Sequence, residues 1–363
     1  MGFKINKVKA DLNSYPPYMF LAPRKFGKTT WWYKLVKEAW GEDTKGLLIS
    51  FGNEEGYHSL DGLQVEVAKE WDQPYDEDTD LRGFVQIVDD VIENNNTYGI
   101  KGVCFDTLDT MVAVATKEVL RQHKREKGTT CKSLNDAFSG YGRGTERLLS
   151  IMDEQIEKLR DAGIAVFILC HIKNKERSDL VSGDKFEMIT NNLPDSIYTH
   201  FGDAAQIVMV GVLDREINNG KILKEERVVY LRGNSQVDAG GRFEEIREKI
   251  DLNPASFLEA FNEAVKASMG NKSATDKDIA KMKEAEEETA KKKAEIALSR
   301  RKENEINEEE NADLLEKIKS VWNTVSAETK DEAKQYMKSE GYSKFNDEVP
   351  TKVLHKVVEM LGV

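Results

Sequence analysis

Ala22-Pro23-Arg24-Lys25-Phe26-Gly27-Lys28-Thr29-Thr30 is the stretch whose reading decides the fold. Four unconstrained residues stand between Ala22 and a Gly-Lys-Thr triplet, the pattern of a P-loop. The pattern has a physical cause. Gly27 has no Cβ, so its backbone can approach a phosphate closely. Lys28 supplies a point charge to β- and γ-phosphates, and the Thr29 hydroxyl suits Mg²⁺. A helix expected from Lys28 to about Trp40 turns its N-terminal N–H groups and positive dipole end toward the same phosphates. Tyr18-Met19-Phe20-Leu21 reads as a short buried strand, which completes the strand–loop–helix context. The first loop position is Ala22 rather than glycine, a small departure. The whole segment Ala22 to Thr30 is expected to bind ATP.

Further strands follow at intervals. Gly46 to Phe51 and Gly102 to Asp106 are apolar runs, as is Ile164 to Cys170, which ends at His171. Helices are expected over Leu81 to about Asn94, Leu108 to about His123 and Thr145 to about Asp161. The apolar residues Phe84, Ile87, Val88, Val91 and Ile92 fall at three-and-four spacing. Ala204 to Val212 and Arg227 to Leu231 read as later strands, and Arg232 to Phe243 as a turn-rich connection. Alternating strands and helices predict an α/β fold with a mostly parallel sheet between helices. Such a sheet binds ligands at the C-terminal ends of its strands. Asp106 ends its strand as a Walker B carboxylate would, to hold Mg²⁺ beside the P-loop with Thr29. Asp109, just beyond, is expected to cap the next helix rather than to support the site.

The chain has 363 residues and a net charge of −12, from 53 basic and 65 acidic side chains. Most of that acid excess falls in residues 1–270. A globally basic nucleic-acid-binding protein is excluded, although a local basic patch is not. Three widely spaced cysteines without a CxxC pair point to neither a disulfide framework nor a zinc site. They fit a reducing, cytoplasmic setting. No run of about 18 apolar residues is present, so no membrane span is expected. Composition shifts near residue 267. We divide the chain into residues 1–267, a charged helical linker over 268–311, and a small helical module over 312–363. That module regains apolar spacing through Leu314, Leu315, Ile318, Val321 and Trp322.

Hydrolysis needs a carboxylate that orients a water. Glu54, just past the second strand, is the candidate, with Glu55 as the fallback. His171 is a candidate sensor of the γ-phosphate. Taken in order, these pieces resemble the RecA-core ATPases of bacteriophages, and more narrowly the phage single-strand-annealing ATPases. The matching segments are Phe26 to Thr30, Asn53 to Tyr57 with Leu60, Phe105-Asp106-Thr107, His171-Ile172-Lys173 and Asp238 to Phe243. The resemblance covers roughly residues 10–265. It implies a RecA-like P-loop NTPase core, assembly as a ring or filament, and ATP at the subunit interface. It implies Glu54 as the catalytic glutamate and His171 as the sensor. Arg242 is the implied finger toward a neighbour's nucleotide, with Arg232 as a weaker choice. It also puts DNA-binding loops at residues 121–144 and 172–193, in host cytoplasm if the chain is phage-encoded.

Those two segments are basic within an acidic chain. They carry Arg121, Lys124, Arg125, Lys127, Lys132, Arg143, Lys173 and Lys175, with Tyr141 and Phe138 available to stack on bases. Two functions are therefore carried forward. The first is an ATP-driven, single-stranded-DNA-binding recombination or annealing protein. The second is a nucleotide-gated interaction protein, such as a helicase loader or assembly switch, whose C-terminal module grips a protein partner.

Overall fold

The computed structural model describes residues 12–13, 17–52, 56–74, 76, 81–179, 182–218, 221–268, 310–322, 324–340, 342, 345 and 349–362. The chain divides into two compact units, Met1–Ala294 and Glu295–Val363. The boundary between them falls inside the stretch expected to be a linker, most of which lies outside the described residues.

The first unit is built on one sheet. Strand β1 (Tyr18–Ala22) leads through the phosphate loop into helix α1 (Lys28–Trp40). The chain continues as β2 (Gly46–Phe51), β3 (Gln64–Ala68), α2 (Phe84–Tyr98), β4 (Gly102–Asp106) and α3 (Leu108–Lys127). Then come α4 (Arg143–Asp161), β5 (Ala165–Ser178), β6 (Lys185–Asn191) and α5 (Asp195–Ala204). The unit closes with β7 (Ile207–Asn218), β8 (Lys221–Tyr230), β9 (Gly240–Gly241), β10 (Lys249–Asp251) and α6 (Pro254–Ser268). The sheet order is β10-β8-β7-β1-β5-β4-β2-β3, with β6 paired to β5 and β9 to β7. Strands β1, β2, β3, β4, β5 and β7 are mutually parallel along their shared pairs. Strand β6 runs antiparallel to β5, β8 and β9 antiparallel to β7, and β10 antiparallel to β8. The α/β, mostly parallel architecture is as the sequence implies.

Register fixes which strand ends meet. Ala22 pairs with His171, Leu169 with Asp106, and Asp106 with Ser50. The loop, the histidine and the carboxylate thus share one edge, with β5 between the P-loop strand and the Asp106 strand.

Helix α1 is anchored by aromatic packing. Trp31 meets Phe20 at 5.0 Å and Phe257 at 5.5 Å, and Trp32 meets Phe167 at 5.2 Å between ring centroids. Trp31, Trp32, Leu35 and Val36 are all buried, each worth roughly 2 kcal/mol of apolar transfer. Close approach needs small residues beneath the helix. A Cβ at Gly102 would stand 2.3 Å from the Trp40 ring, and one at Gly46 2.2 Å from Val36. The helix therefore cannot shift without repacking, which fixes where its N-terminus points.

Several expected boundaries need correction. Helix α3 runs through Lys127 rather than ending near His123, so Arg121, Lys124, Arg125 and Lys127 are helical rather than in a loop. Gly128, at φ +72°, ends it. The second basic segment is also not a loop: β5 continues past His171 and forms the β5–β6 hairpin, which carries Lys173 and Lys175. Strand β7 likewise runs on to Asn218 and β8 begins at Lys221.

In the second unit, helix α7 spans residues 310–322, followed by α8 (Ala327–Ser339) and α9 (Thr351–Met360). Leu314, Ile318, Ala333, Met337, Val353, Leu354 and Val357 form its own apolar cluster. Trp322 packs on Phe345 at 5.0 Å.

Candidate nucleotide-binding site

The loop between β1 and α1 is held from below. Phe26 is buried, with its ring edge-on to Phe20 at 6.3 Å. It fills the space above Gly211 of β7, where a Cβ would come within 2.4 Å of the Phe26 ring. The loop takes two left-handed residues, Lys25 at φ +59° and Gly27 at φ +108°. Gly27 is the N-cap of α1 and makes no side-chain cap, so the first N–H groups of the helix remain turned to the loop cavity. Arg24 and Lys25 are exposed on its outer side.

Lys28 is 7% exposed. Its ammonium donates to the carbonyls of Ala22 and Pro23, each at 3.1 Å. A buried ammonium needs such partners to offset its lost hydration. The adjacent Thr29 hydroxyl donates to Asp106 Oδ2 at 2.8 Å. This contact joins the phosphate loop to the end of β4 across the width of β5. Both groups are hard oxygen ligands, which suits Mg²⁺. Among the described residues no three His, Cys, Asp or Glu side chains come together to hold a metal. A cation here needs phosphate oxygens to complete its shell.

His171 follows at the end of the β5 segment beside Ala22. One oxygen of Asp109 accepts from both its backbone N–H, at 3.0 Å, and its ring Nδ1, at 3.1 Å. This corrects the expected role of Asp109. The start of α3 is closed by Thr107 and Thr110 instead, with Thr110 Oγ1 accepting from the Thr107 N–H at 3.0 Å. A Thr-x-x-Thr spacing just before the helix was the signal for that. Burial alone pulls the Asp109 carboxyl upward, but the hydrogen bonds and charge of His171 outweigh it, and the net shift is downward. The carboxylate stays ionised and orients the ring through Nδ1, so that Nε2 is turned away from it. Asp109 Oδ1 is buried with no hydrogen-bond partner among the described residues.

The remaining expected residues are distributed differently. Asn53, Glu54 and Glu55 lie outside the described residues. Arg242 is not brought to the site of its own chain. It follows β9, which pairs with the first residues of β7, opposite Tyr18 rather than Ala22. Roughly 13 Å of strand separates those two ends. Its guanidinium donates to the carbonyl of Asp203 at 2.9 Å, at the end of α5, and not to Glu244 or Glu245. Arg232 has its backbone N–H on the Glu248 carbonyl.

Among the basic residues, Arg121 and Arg125 converge on Glu118, which is 2% exposed, at 3.2 and 2.6 Å. Arg121 also bonds Glu70 beyond the end of β3. Lys175 is held by Asp195 at 2.7 Å and by the Leu193 carbonyl at 2.8 Å. These three are held in ion pairs within the chain. Lys124, Lys127, Lys132, Arg143 and Lys173 make no ion pair among the described residues and are exposed. Lys127 and Lys132 line a cleft of about 500 Å³ with His123, Thr129, Thr130 and Ser139. Tyr141 is 98% exposed on the loop that follows.

Cys104 and Cys170 are buried free thiols whose pKa is pushed well up by burial, so they are not nucleophiles. Among the described residues no helix is long and apolar enough to cross a membrane.

The family model described as an AAA domain matches residues 16–243, from two residues before β1 to just past Arg242. A comparison with curated proteins finds no match.

Proposed function

The chain belongs to the AAA-domain family, a nucleotide-binding P-loop fold, and from that premise we propose that it hydrolyses ATP with Mg²⁺ and couples turnover to single-stranded DNA. The observation that carries the nucleotide part is the 2.8 Å bond between Thr29 and Asp106. It brings the two oxygens that would share the cation to one point beside Lys28. Bound there, Mg²⁺ neutralises charge on the terminal phosphates. The chain's own residues do the rest. Lys28 leaves the carbonyls of Ala22 and Pro23 for the phosphates. The N–H groups at the start of α1 hold phosphate oxygens. Asp109 fixes the ring of His171, so Nε2 faces a defined direction beside the loop. Glu54 orients the attacking water in this reading, and Arg242 serves a neighbouring copy in a ring or filament.

The DNA part is supported by the exposed cations Lys124, Lys127, Lys132 and Arg143 together with Tyr141. A basic cleft beside an exposed ring suits a phosphate with its base stacked outside. Recombination or annealing of the phage type is the finer form of this reading. It predicts ATPase turnover that rises with single-stranded DNA and binding that weakens steeply with salt. Turnover unaffected by DNA at low salt, with no binding, would remove the DNA part and leave the nucleotide part standing.

A second reading is a nucleotide-gated switch with a protein partner. The separate apolar core of the second unit favours it, as does the internal pairing of Arg121, Arg125 and Lys175. Truncation at residue 268 separates the two. Retained DNA binding supports the first reading; loss of a partner with DNA binding absent throughout supports the second.

A further inference from the structure

The sheet order puts the Thr29–Asp106 pair and His171 on one flank of the phosphate loop, that of β5 and β4. Terminal phosphates and their cation belong on that flank, since Lys28 and Thr29 serve them. The nucleoside end of a bound triphosphate then leaves toward the opposite flank, formed by β7 and β8. Gly27 marks the opening. A Cβ placed on it would lie 3.9 Å from Arg227 Nη1 and 3.7 Å from Leu252 Cδ2. The guanidinium and the leucine thus stand at van der Waals distance from the glycine position of the loop.

Arg227 is the unusual cation of its hairpin. Arg215 is paired with Glu225, Lys224 with Glu226 at 2.8 Å, and Lys249 with Asp214 at 3.0 Å. Arg227 makes no ion pair among the described residues. Its guanidinium lies over the Phe26 ring instead, 5.9 Å from the centroid. Phe26 is itself packed against Phe20 and Gly211, so the exposed guanidinium lies over a ring of fixed position.

We propose that Arg227 and Leu252 form the nucleoside-end wall of the site, with the planar guanidinium stacking on the nucleobase of the triphosphate held by the loop. A guanidinium plane matches a purine face, and an aliphatic side chain closes the other side of such a slot. This inference rests on the nucleotide-binding reading above. No part of it concerns hydrolysis.

The test compares MgATP with inorganic tripolyphosphate, which carries the phosphates without the nucleoside. Binding of each is measured by calorimetry to the full chain and to Arg227→Ala and Arg227→Lys variants. Arg227 is exposed on β8, so circular dichroism should be unchanged in both. The expected result is MgATP affinity down roughly tenfold in both variants, with tripolyphosphate affinity within about twofold of wild type. Recovery of MgATP affinity in Arg227→Lys, or an equal loss for tripolyphosphate, would mean a charge contact to phosphate and overturn the stacking role. Unchanged MgATP affinity in Arg227→Ala overturns it outright. A wild-type chain that binds neither molecule removes the phosphate-loop reading, and the proposal with it, which is a distinct outcome.

Discussion

Asp109 grips His171 twice with a single carboxylate oxygen, through the backbone N–H at 3.0 Å and through the ring at 3.1 Å. The two residues lie 62 positions apart, on the first turn of α3 and at the end of the parallel part of β5. The double contact fixes where β5 stops being part of the main sheet and which nitrogen of the imidazole faces away. If the ring reports on the γ-phosphate, then Asp109→Asn should retain ATP binding within about twofold. It should lower kcat at least tenfold, because the amide no longer enforces one tautomer. Steady-state ATPase assays read both numbers. Equal kcat in the variant would leave His171 a purely structural strand end.

The same pair predicts a pH dependence of stability. The folded carboxyl of Asp109 lies below its ordinary value of 3.8. A depressed carboxyl stabilises the fold above the unfolded value and loses that contribution as pH falls through the folded one. Wild type should therefore be more stable than Asp109→Asn at pH 6 to 7. The gap should narrow as pH falls below 3.8 and close once it has passed the still lower folded value. Denaturant melts at a series of pH values would show it. A gap that persists unchanged at pH 3 would mean the contact does not depend on the charge.

Lys28 and Thr29 test the heart of the site differently. Lys28→Ala removes the point charge and should abolish measurable triphosphate binding. Thr29→Val or Asp106→Asn should bind ATP in chelator much as wild type does. Each should lose the gain in affinity that Mg²⁺ brings. Nucleotide titrations with and without Mg²⁺ distinguish the two classes of defect. A Mg²⁺ effect that survives in both would place the cation elsewhere.

How much of this was legible depended on sequence distance. The P-loop, α1 and β4 are local patterns, and their bounds follow from apolar runs ending at Ala22, Trp40 and Asp106. The meeting of strand ends at one edge follows from alternation, whereas the strand order β10-β8-β7-β1-β5-β4-β2-β3 does not. The basic stretch after His123 misled because dense Lys and Arg resemble a solvated loop. Glu118, one turn earlier and buried, accepts Arg121 and Arg125 along the same face and keeps the helix going. Strand β3, the β5–β6 hairpin and α5 carried no clean period. Arg227 could not be read at all: it reaches Gly27 from two hundred residues away, through strands whose pairing no local pattern encodes.

The Glu118 cluster makes a prediction about which cations are available to nucleic acid. Glu118 is buried, whereas Arg121 and Arg125 are 44% and 64% exposed. Removing both arginines strands a buried carboxylate, which should cost roughly 2 kcal/mol after allowing for solvent screening. Glu118→Gln should cost less, because it leaves only exposed charges unpaired. Arg121→Ala with Arg125→Ala should thus lower the melting temperature but leave salt-dependent DNA binding nearly intact. Lys127→Ala with Lys132→Ala should do the reverse, with stability unchanged and the salt slope of binding reduced by about two. Filter binding across a salt series, beside thermal melts, measures both.

The last prediction concerns a residue that touches no ligand. Gly211 lies under the phosphate loop, and a methyl group there would meet the Phe26 ring at 2.4 Å. The ring cannot move down, since Phe20 and the sheet close that side. It must move up, carrying Gly27 and the start of α1 with it. Gly211→Ala should therefore destabilise the fold by roughly 1–3 kcal/mol, the ordinary cost of overpacking. It should also weaken MgATP binding by a larger factor than any surface variant of β7. Pairing it with Phe26→Leu, which shortens the side chain, should restore much of both losses. Rescue of stability without rescue of affinity would show that the ring, and not merely its volume, sets the loop's position.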